Sequence, residues 1–183
     1  MAVLGVILVI VVLLALFVIS TYNGLVSLRN KVRDQFSQID VQLKKRSDLI
    51  PNLVETVKGY AKHEEGTLEK VIQARNTYLT AESIDDKVKA SNQITQAVSK
   101  LFALAEAYPD LKANENFLDL QTQLKEIEDK ISYARQFYND SVLMLNNKIE
   151  MFPSNFVASM FGFKKENFFE ATEEEKKNVE VKF

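Results

Sequence analysis

The stretch of sequence that decides the fold is Val3–Ile19, VLGVILVIVVLLALFVI. Fifteen of its 17 residues are Val, Leu, Ile or Phe, and no side chain from Met1 to Leu28 carries a charge at neutral pH. A helix rises about 1.5 Å per residue, so about 18 to 20 apolar residues span the hydrocarbon core of a bilayer. The sequence therefore predicts a transmembrane anchor over residues 1–21.

The same stretch lacks the features of a cleaved secretory signal. Such a signal has a basic start, a shorter apolar stretch and a small-x-small cleavage site, whereas no Lys or Arg precedes this run. The chain also has no cysteine, which excludes a lipobox, palmitoylation and disulfides. We therefore expect an uncleaved signal-anchor that holds the protein in the membrane by this helix alone.

Positive charge is concentrated after the apolar run. Arg29, Lys31 and Arg33 follow its C-terminal end, and a second basic group lies at 44–46. Because loops rich in Lys and Arg stay on the cytoplasmic side, this asymmetry predicts a single-pass protein with its N-terminus outside and the remaining residues in the cytoplasm.

The composition argues against several classes of function. The formal net charge of the chain is −2, so no nucleic-acid partner is expected. His63 is the one histidine, and Thr67 stands where a zinc-protease helix needs its second ligand. The five glycines are too scattered for a phosphate-binding loop, and nothing resembles a serine nucleophile elbow. We expect no catalytic residues, no cofactor and no metal site.

Apolar residues recur every three or four positions through most of the chain after the anchor, which is the period of an amphipathic helix. The pattern predicts a first helix that continues from the anchor to about residue 50, a second over about 52–78, a third over about 84–108 and a fourth over about 117–149. Pro51 is expected to end the first helix or start the second, and Pro109 to stop the third.

Short links between the four helices favour an antiparallel arrangement, because a short connection makes sequential helices neighbours. The predicted fold class is therefore all-α: an N-terminal transmembrane helix that continues into an antiparallel, up-and-down four-helix bundle over residues 22–150. In this topology the first helix leaves the membrane and the fourth returns to it.

A segment rich in Phe and Met, 151–169, follows the fourth helix and would arrive at the bilayer surface. We expect it to lie in the membrane interface or to contact another subunit; the alternative is an intramolecular cap on the bundle. Residues 170–183 are expected to form a charged tail. The candidate interface residues are aromatic or Met side chains: Tyr22, Phe152, Phe156, Met160, Phe161, Phe163, Phe168 and Phe169.

Several polar residues of the helical region are expected to support the architecture, with partner recognition as the alternative. Around the expected turn at Pro51, basic side chains suit a helix C-terminus and Asp48 would cap the next helix. Two Tyr-Asn pairs, 22–23 and 138–139, are expected near the membrane end with their tyrosines in the aromatic belt. Two arginines would pair with buried carboxylates or line a subunit interface. The set is Asn23, Asp40, Arg46, Asp48, Pro51, Asn52, Arg75, Arg135 and Asn139.

Several of these stretches together resemble the LemA family of bacterial membrane proteins. The motifs are YNGLVSLRN at 22–30, SQIDVQLKKRSDLIPNLVETVKGY at 37–60, ARN at 74–76, NF at 116–117 with LQ at 120–121, AR at 134–135 with YN at 138–139, and FPSN at 152–155. The resemblance covers nearly all of the chain after the anchor. It implies a transmembrane helix with a short external N-terminus, a helical bundle, and no established enzymatic activity. The resemblance also implies an association with membrane remodelling or organelle formation, and with genes that lie near those of membrane proteases.

Two hypotheses of function follow. In the first, the protein is a scaffold whose copies form a homo-oligomer, contact membrane lipids and organise or remodel the bacterial cytoplasmic (inner) membrane. In the second, it is an adaptor or regulator of a membrane protease or another inner-membrane complex.

Overall fold

The computed structural model describes residues 2–169, and the expected charged tail at 170–183 lies outside that range. The described part of the chain is helical and contains no strand. This confirms an all-α protein with an N-terminal apolar helix. The helices are α1 (Ala2–Lys58), α2 (Glu65–Thr80), α3 (Ile84–Ala105), α4 (Pro109–Lys112), α5 (Glu115–Glu150) and α6 (Ser154–Met160).

The first 16 residues of α1 present a bare apolar surface. From Val3 to Phe17, every Val, Leu, Ile and Phe side chain is exposed. Contiguous apolar surface of this extent is not left in contact with water in a soluble protein. The segment is therefore a candidate membrane anchor, and α1 continues from it without a break to Lys58, as the sequence pattern predicts.

Several of the predicted helix boundaries are wrong, including the one at Pro51 described in the next paragraph. The expected helix over 52–78 is interrupted at 59–64, where Gly59 is a poor helix former and Ala61 turns into the core. Pro109 does not stop α3, which ends at Ala105; it occupies the first turn of α4, where its missing N–H costs nothing. The long fourth helix is present as α5.

Pro51 lies inside α1, contrary to the expectation that a helix ends there. A helical proline has no N–H, so the carbonyl oxygen of Ser47, four residues earlier, loses its usual donor. The Nε of Arg75, from α2, donates to that oxygen at 3.0 Å. Because Ser47 is fully buried, an unpaired carbonyl there would be costly, and Arg75 removes that cost.

The described residues divide into two compact units, which we treat separately. The anchor unit contains 2–37 and 135–168, and the second unit contains 38–134 with Phe169. In the second unit, buried polar contacts join α1 to the other helices. Asp40 accepts hydrogen bonds from the Tyr78 hydroxyl at 3.0 Å and from the Lys87 ammonium at 2.8 Å.

Arg46 is the most buried cation of the second unit, with 2% of its surface exposed. Its guanidinium donates to the hydroxyl of Thr95 at 2.9 Å and to the carbonyl and hydroxyl oxygens of Ser91 at 2.9 and 2.7 Å. It also forms an ion pair with Glu128 on α5. One α1 side chain therefore binds both α3 and α5, and removing it would leave several buried polar groups without a donor.

The Ser47 carbonyl gives a direct test of this account of Pro51. Arg75→Met should lower the free energy of unfolding of the full-length protein by about 1–3 kcal/mol, because a buried acceptor loses its partner. In a Pro51→Ala background the new N–H can bond to Ser47, so the same substitution should cost at least about 1 kcal/mol less. Urea unfolding in detergent, followed by circular dichroism, measures both values.

Lys70→Met is the matched control, since Lys70 is an exposed cation on the same helix as Arg75. It should change stability by less than about 0.5 kcal/mol in either background. Equal costs of Arg75→Met with and without Pro51 would contradict the account.

Candidate membrane-proximal surface

The end of α5 is shaped by a tight local turn. The hydroxyl of Ser154 lies 2.7 Å from the carbonyl oxygen of Lys148 and 2.8 Å from that of Met151, at the point where α5 has no further N–H donors. The Phe152–Pro153 peptide is cis. The seven-residue α6 then ends in a Schellman motif: Gly162 has φ +69°, and the N–H of Phe163 donates to the Ala158 carbonyl at 2.9 Å.

Contacts within the anchor unit show that α5 runs back toward the apolar run of α1. The rings of Phe36 and Tyr138 lie 6.0 Å apart, and those of Tyr22 and Phe161 lie 4.7 Å apart. From Tyr138 to the end of α5 the helix rises about 18 Å, which brings its last residue level with the neighbourhood of Gly24. The turn and α6 therefore lie within about 10 Å of the end of the apolar run.

An aromatic cluster joins the segment after α6 to α1. The Tyr22 ring contacts Phe161 and also Phe163, the latter at 5.8 Å between ring centroids. The Cζ atom of Arg29 lies 5.1 Å from the centroid of the same Phe163 ring. Phe163 thus bridges two α1 side chains that lie about two helical turns apart, and it fixes the segment at this level.

The extended chain after the cluster runs back along α5. The side-chain amide of Asn146 donates to the Glu166 carbonyl at 2.9 Å and accepts from the Glu166 N–H at 3.0 Å. The hydroxyl of the buried Tyr138 donates to the Asn167 carbonyl at 3.0 Å. Asn146 was not among the residues predicted from the sequence, because a single Asn near an apolar helix face carries no pattern that distinguishes it from a surface residue.

The candidate interface residues therefore fall into two groups. Phe163 is half-buried and Phe169 is buried, with 3% of its surface exposed. The large exposed apolar side chains of 151–161 project outward and form what we call the aromatic patch. The members of the aromatic patch are Met151, Phe152, Phe156, Met160 and Phe161. The rings of Phe152 and Phe156 contact each other edge to face, with their centroids 6.0 Å apart. Of the other candidate interface residues, Tyr22 and Phe168 are exposed as well.

Apart from Arg75, which lies on α2, the predicted polar residues of the second unit lie along α1 rather than around a turn. As described above, Asp40 bonds to side chains of α2 and α3, and Arg46 bonds to α3 and α5. Burial, followed by the hydrogen bond to Asp40, raises the pKa of the Tyr78 hydroxyl, which stays protonated as a donor. Asp48 forms an exposed ion pair with Lys44, and the expectation that it caps the next helix is wrong because α1 continues past it.

The remaining predicted polar residues occupy varied positions. Asn52 is exposed, and its carbonyl accepts from the Thr56 hydroxyl at 2.8 Å. In the anchor unit, Asn23 is exposed, Asn139 is half-buried and Arg135 is buried with 7% exposed. Tyr138, next to Asn139, lies in the protein core and not in an aromatic belt.

A sequence model of the LemA family matches residues 35–183. The chain belongs to the LemA family. The match begins after the apolar run and includes the Pro51 region, Arg75 and the whole segment after α5, so the resemblance seen in the motifs is confirmed.

Individual relatives cover most of this chain. Protein LemA of Metamycoplasma hominis is 29% identical over 161 residues, which are 87% of this chain and 73% of that protein. Magnetosome protein MamQ 2 of Paramagnetospirillum magneticum is 24% identical, and magnetosome protein MamQ of Magnetospirillum gryphiswaldense is 22% identical. Each of these two alignments covers 81% of this chain but only 64% of the relative, which is less than two thirds of its length.

The contact between Asn146 and Glu166 can be tested in this LemA-family protein without changing its fold. Asn146→Leu removes both hydrogen bonds to the Glu166 backbone, so the amides of 164–169 should exchange with deuterium about tenfold faster. Hydrogen exchange with mass spectrometry on the full-length protein in detergent measures this rate. Asn147→Leu, at the neighbouring exposed position, should leave it unchanged, and equal acceleration by both substitutions would disprove the role of Asn146.

Proposed function

We propose that this LemA-family protein is a single-pass, non-enzymatic scaffold that self-associates and organises or remodels the bacterial inner membrane. Its N-terminus would lie outside, and the residues after the anchor would lie in the cytoplasm, since Arg29, Lys31 and Arg33 flank the C-terminal end of the anchor. Two relatives are magnetosome proteins by name, which supports a role in organising a bacterial compartment.

The observation that carries this proposal is the position of the aromatic patch. Phe152, Phe156 and Met160 are 78%, 64% and 72% exposed, and they lie near the level at which the apolar run of α1 ends. Large apolar side chains grouped on a surface mark a contact with lipid or protein. At this depth the available partners are lipid headgroups and acyl chains and the same patch on another copy.

The direction of the helices in the second unit supports the up-and-down bundle as part of the proposal. Residues 40 and 47 of α1 contact residues 78 and 75 of α2, so these two helices run antiparallel. Residues 40 and 46 of α1 contact residues 87 and 91 of α3, which makes that pair parallel. The ring of Phe102 on α3 contacts the ring of Phe117 on α5. Arg46 bonds both to Thr95 on α3 and to Glu128 on α5, so these two residues also lie near each other. The two pairs occur in opposite order along the helices, so α3 and α5 run antiparallel.

One observation favours the adaptor as the second candidate function. Phe137 and Met144 are 59% and 49% exposed and lie seven residues apart on the same face of α5. Phe137 lies close to the level of Phe36, about 25 Å beyond the end of the apolar run, where lipid does not reach. A second protein, such as a membrane protease or another inner-membrane protein, would cover this face.

The scaffold proposal predicts a large particle that depends on the aromatic patch. Full-length protein extracted in a mild detergent should have a particle mass, by light scattering, many times that of one chain, and the same fraction should show uniform assemblies by electron microscopy. The double variant Phe156→Glu and Met160→Glu should lower that mass, because the exposed charges oppose burial of the patch. Its helix content by circular dichroism should not change.

Leu118→Glu is the matched control, because it places a charge on an exposed apolar residue of the second unit. It should leave the particle mass unchanged. Chemical cross-linking in intact membranes, before detergent is added, completes the test. A ladder of self-adducts supports the scaffold; a single adduct with another protein, together with a monomeric particle, would refute self-association and support the adaptor.

A further inference from the structure

We propose that Arg29 binds the phosphate of an anionic lipid headgroup, with Phe163 holding its guanidinium in place. The ligand class is a phosphate monoester or diester at the cytoplasmic surface of the bilayer. The inference rests on the membrane placement given above and adds to it a specific site on α1.

The geometry of Arg29 directs its side chain toward the apolar run. Arg29 and Tyr22 are seven residues apart on one face of α1, and both contact the Phe163 ring. Side chains on a helix lean toward its N-terminus, which for α1 is the membrane side. The guanidinium therefore lies closer to the apolar run than its own Cα atom does, on the side from which a headgroup would approach.

The guanidinium of Arg29 makes a cation–π contact, but its hydrogen-bond donors are not all used within the described residues. Its Cζ atom lies over the Phe163 ring, 5.1 Å from the ring centroid, which is a cation–π contact. Among residues 2–169, its buried Nε has no hydrogen-bond partner. The two terminal nitrogens of a guanidinium held in this way suit a phosphate, because phosphate oxygens accept N–H bonds from both of them side by side.

The charge around the site also favours an anion. The segments 22–37 and 135–168 contain seven basic and four acidic residues, a net charge of +3, although the whole chain carries −2. Lys164 directly follows Phe163 and is exposed, while the next residue, Lys165, pairs with Glu150. Anionic lipids are attracted to such a basic segment next to a membrane helix.

Native mass spectrometry of the full-length protein tests the site. The protein is reconstituted in nanodiscs containing equal parts of phosphatidylcholine and phosphatidylglycerol, released, and scored for the phosphatidylglycerol retained per chain. Arg29→Gln should reduce that retention about fivefold. Arg33→Gln removes the same charge from an exposed arginine one turn further along α1, and it should reduce retention by less than about twofold.

A third variant separates the specific site from general attraction. Phe163→Leu keeps every charge but removes the ring, and it should reduce retention about as much as Arg29→Gln does. Equal effects of Arg29→Gln and Arg33→Gln, with none from Phe163→Leu, would overturn the site. Competition by inorganic phosphate at concentrations similar to the lipid would also overturn it, by showing that a free ion is the ligand.

The particle mass of each variant is measured in the same sample by light scattering. Loss of lipid retention in Arg29→Gln with an unchanged mass supports the lipid site independently of self-association. If the wild-type protein is monomeric but still retains phosphatidylglycerol through Arg29, the scaffold proposal is contradicted and the lipid-site proposal is not.

Discussion

The rest of the structure depends on the apolar surface of the first helix. From Val3 to Phe17 its apolar side chains are exposed in the described part of the chain, which makes this segment a candidate membrane anchor. Within the anchor unit, the end of α5 runs back along α1 toward the apolar run. If the apolar run is held in the membrane, as we propose, the chain after α5 lies next to the membrane surface. The proposed roles of the aromatic patch and of Arg29 both depend on this placement of the apolar run.

Backbone hydrogen bonding explains several residues whose purpose is not visible in the sequence. Pro51 leaves the Ser47 carbonyl without a donor inside a helix, and Arg75 supplies one from another helix. Asn146 does the same for both backbone groups of Glu166 in a segment without secondary structure. In each case a polar side chain of one element completes the backbone of another, which ties distant parts of the chain together.

The segment after α5 combines both alternatives that the sequence leaves open. Phe163 and the backbone of Glu166 are bound to the protein, as in an intramolecular cap. Phe152, Phe156 and Met160 project outward, as in a contact with lipid or another copy. The bound part fixes the height and orientation of the exposed part, which is what a membrane-organising scaffold needs. The basic surroundings of Arg29 add an affinity for anionic headgroups at the same level.

The sequence by itself determined the anchor, the all-α class and the extent of α5, because these depend on runs of apolar residues and on a helical period that each segment carries within itself. The tertiary structure alone decided that α1 continues through Pro51, that the chain turns at 59–64, and which aromatic residues face outward. Local rules end a helix at a proline, but the Arg75 side chain, 28 residues after Ser47 in the sequence, supplies the missing donor to the Ser47 carbonyl. Whether Phe156 or Phe163 is exposed likewise depends on a partner, the ring of Tyr22, that no local pattern identifies.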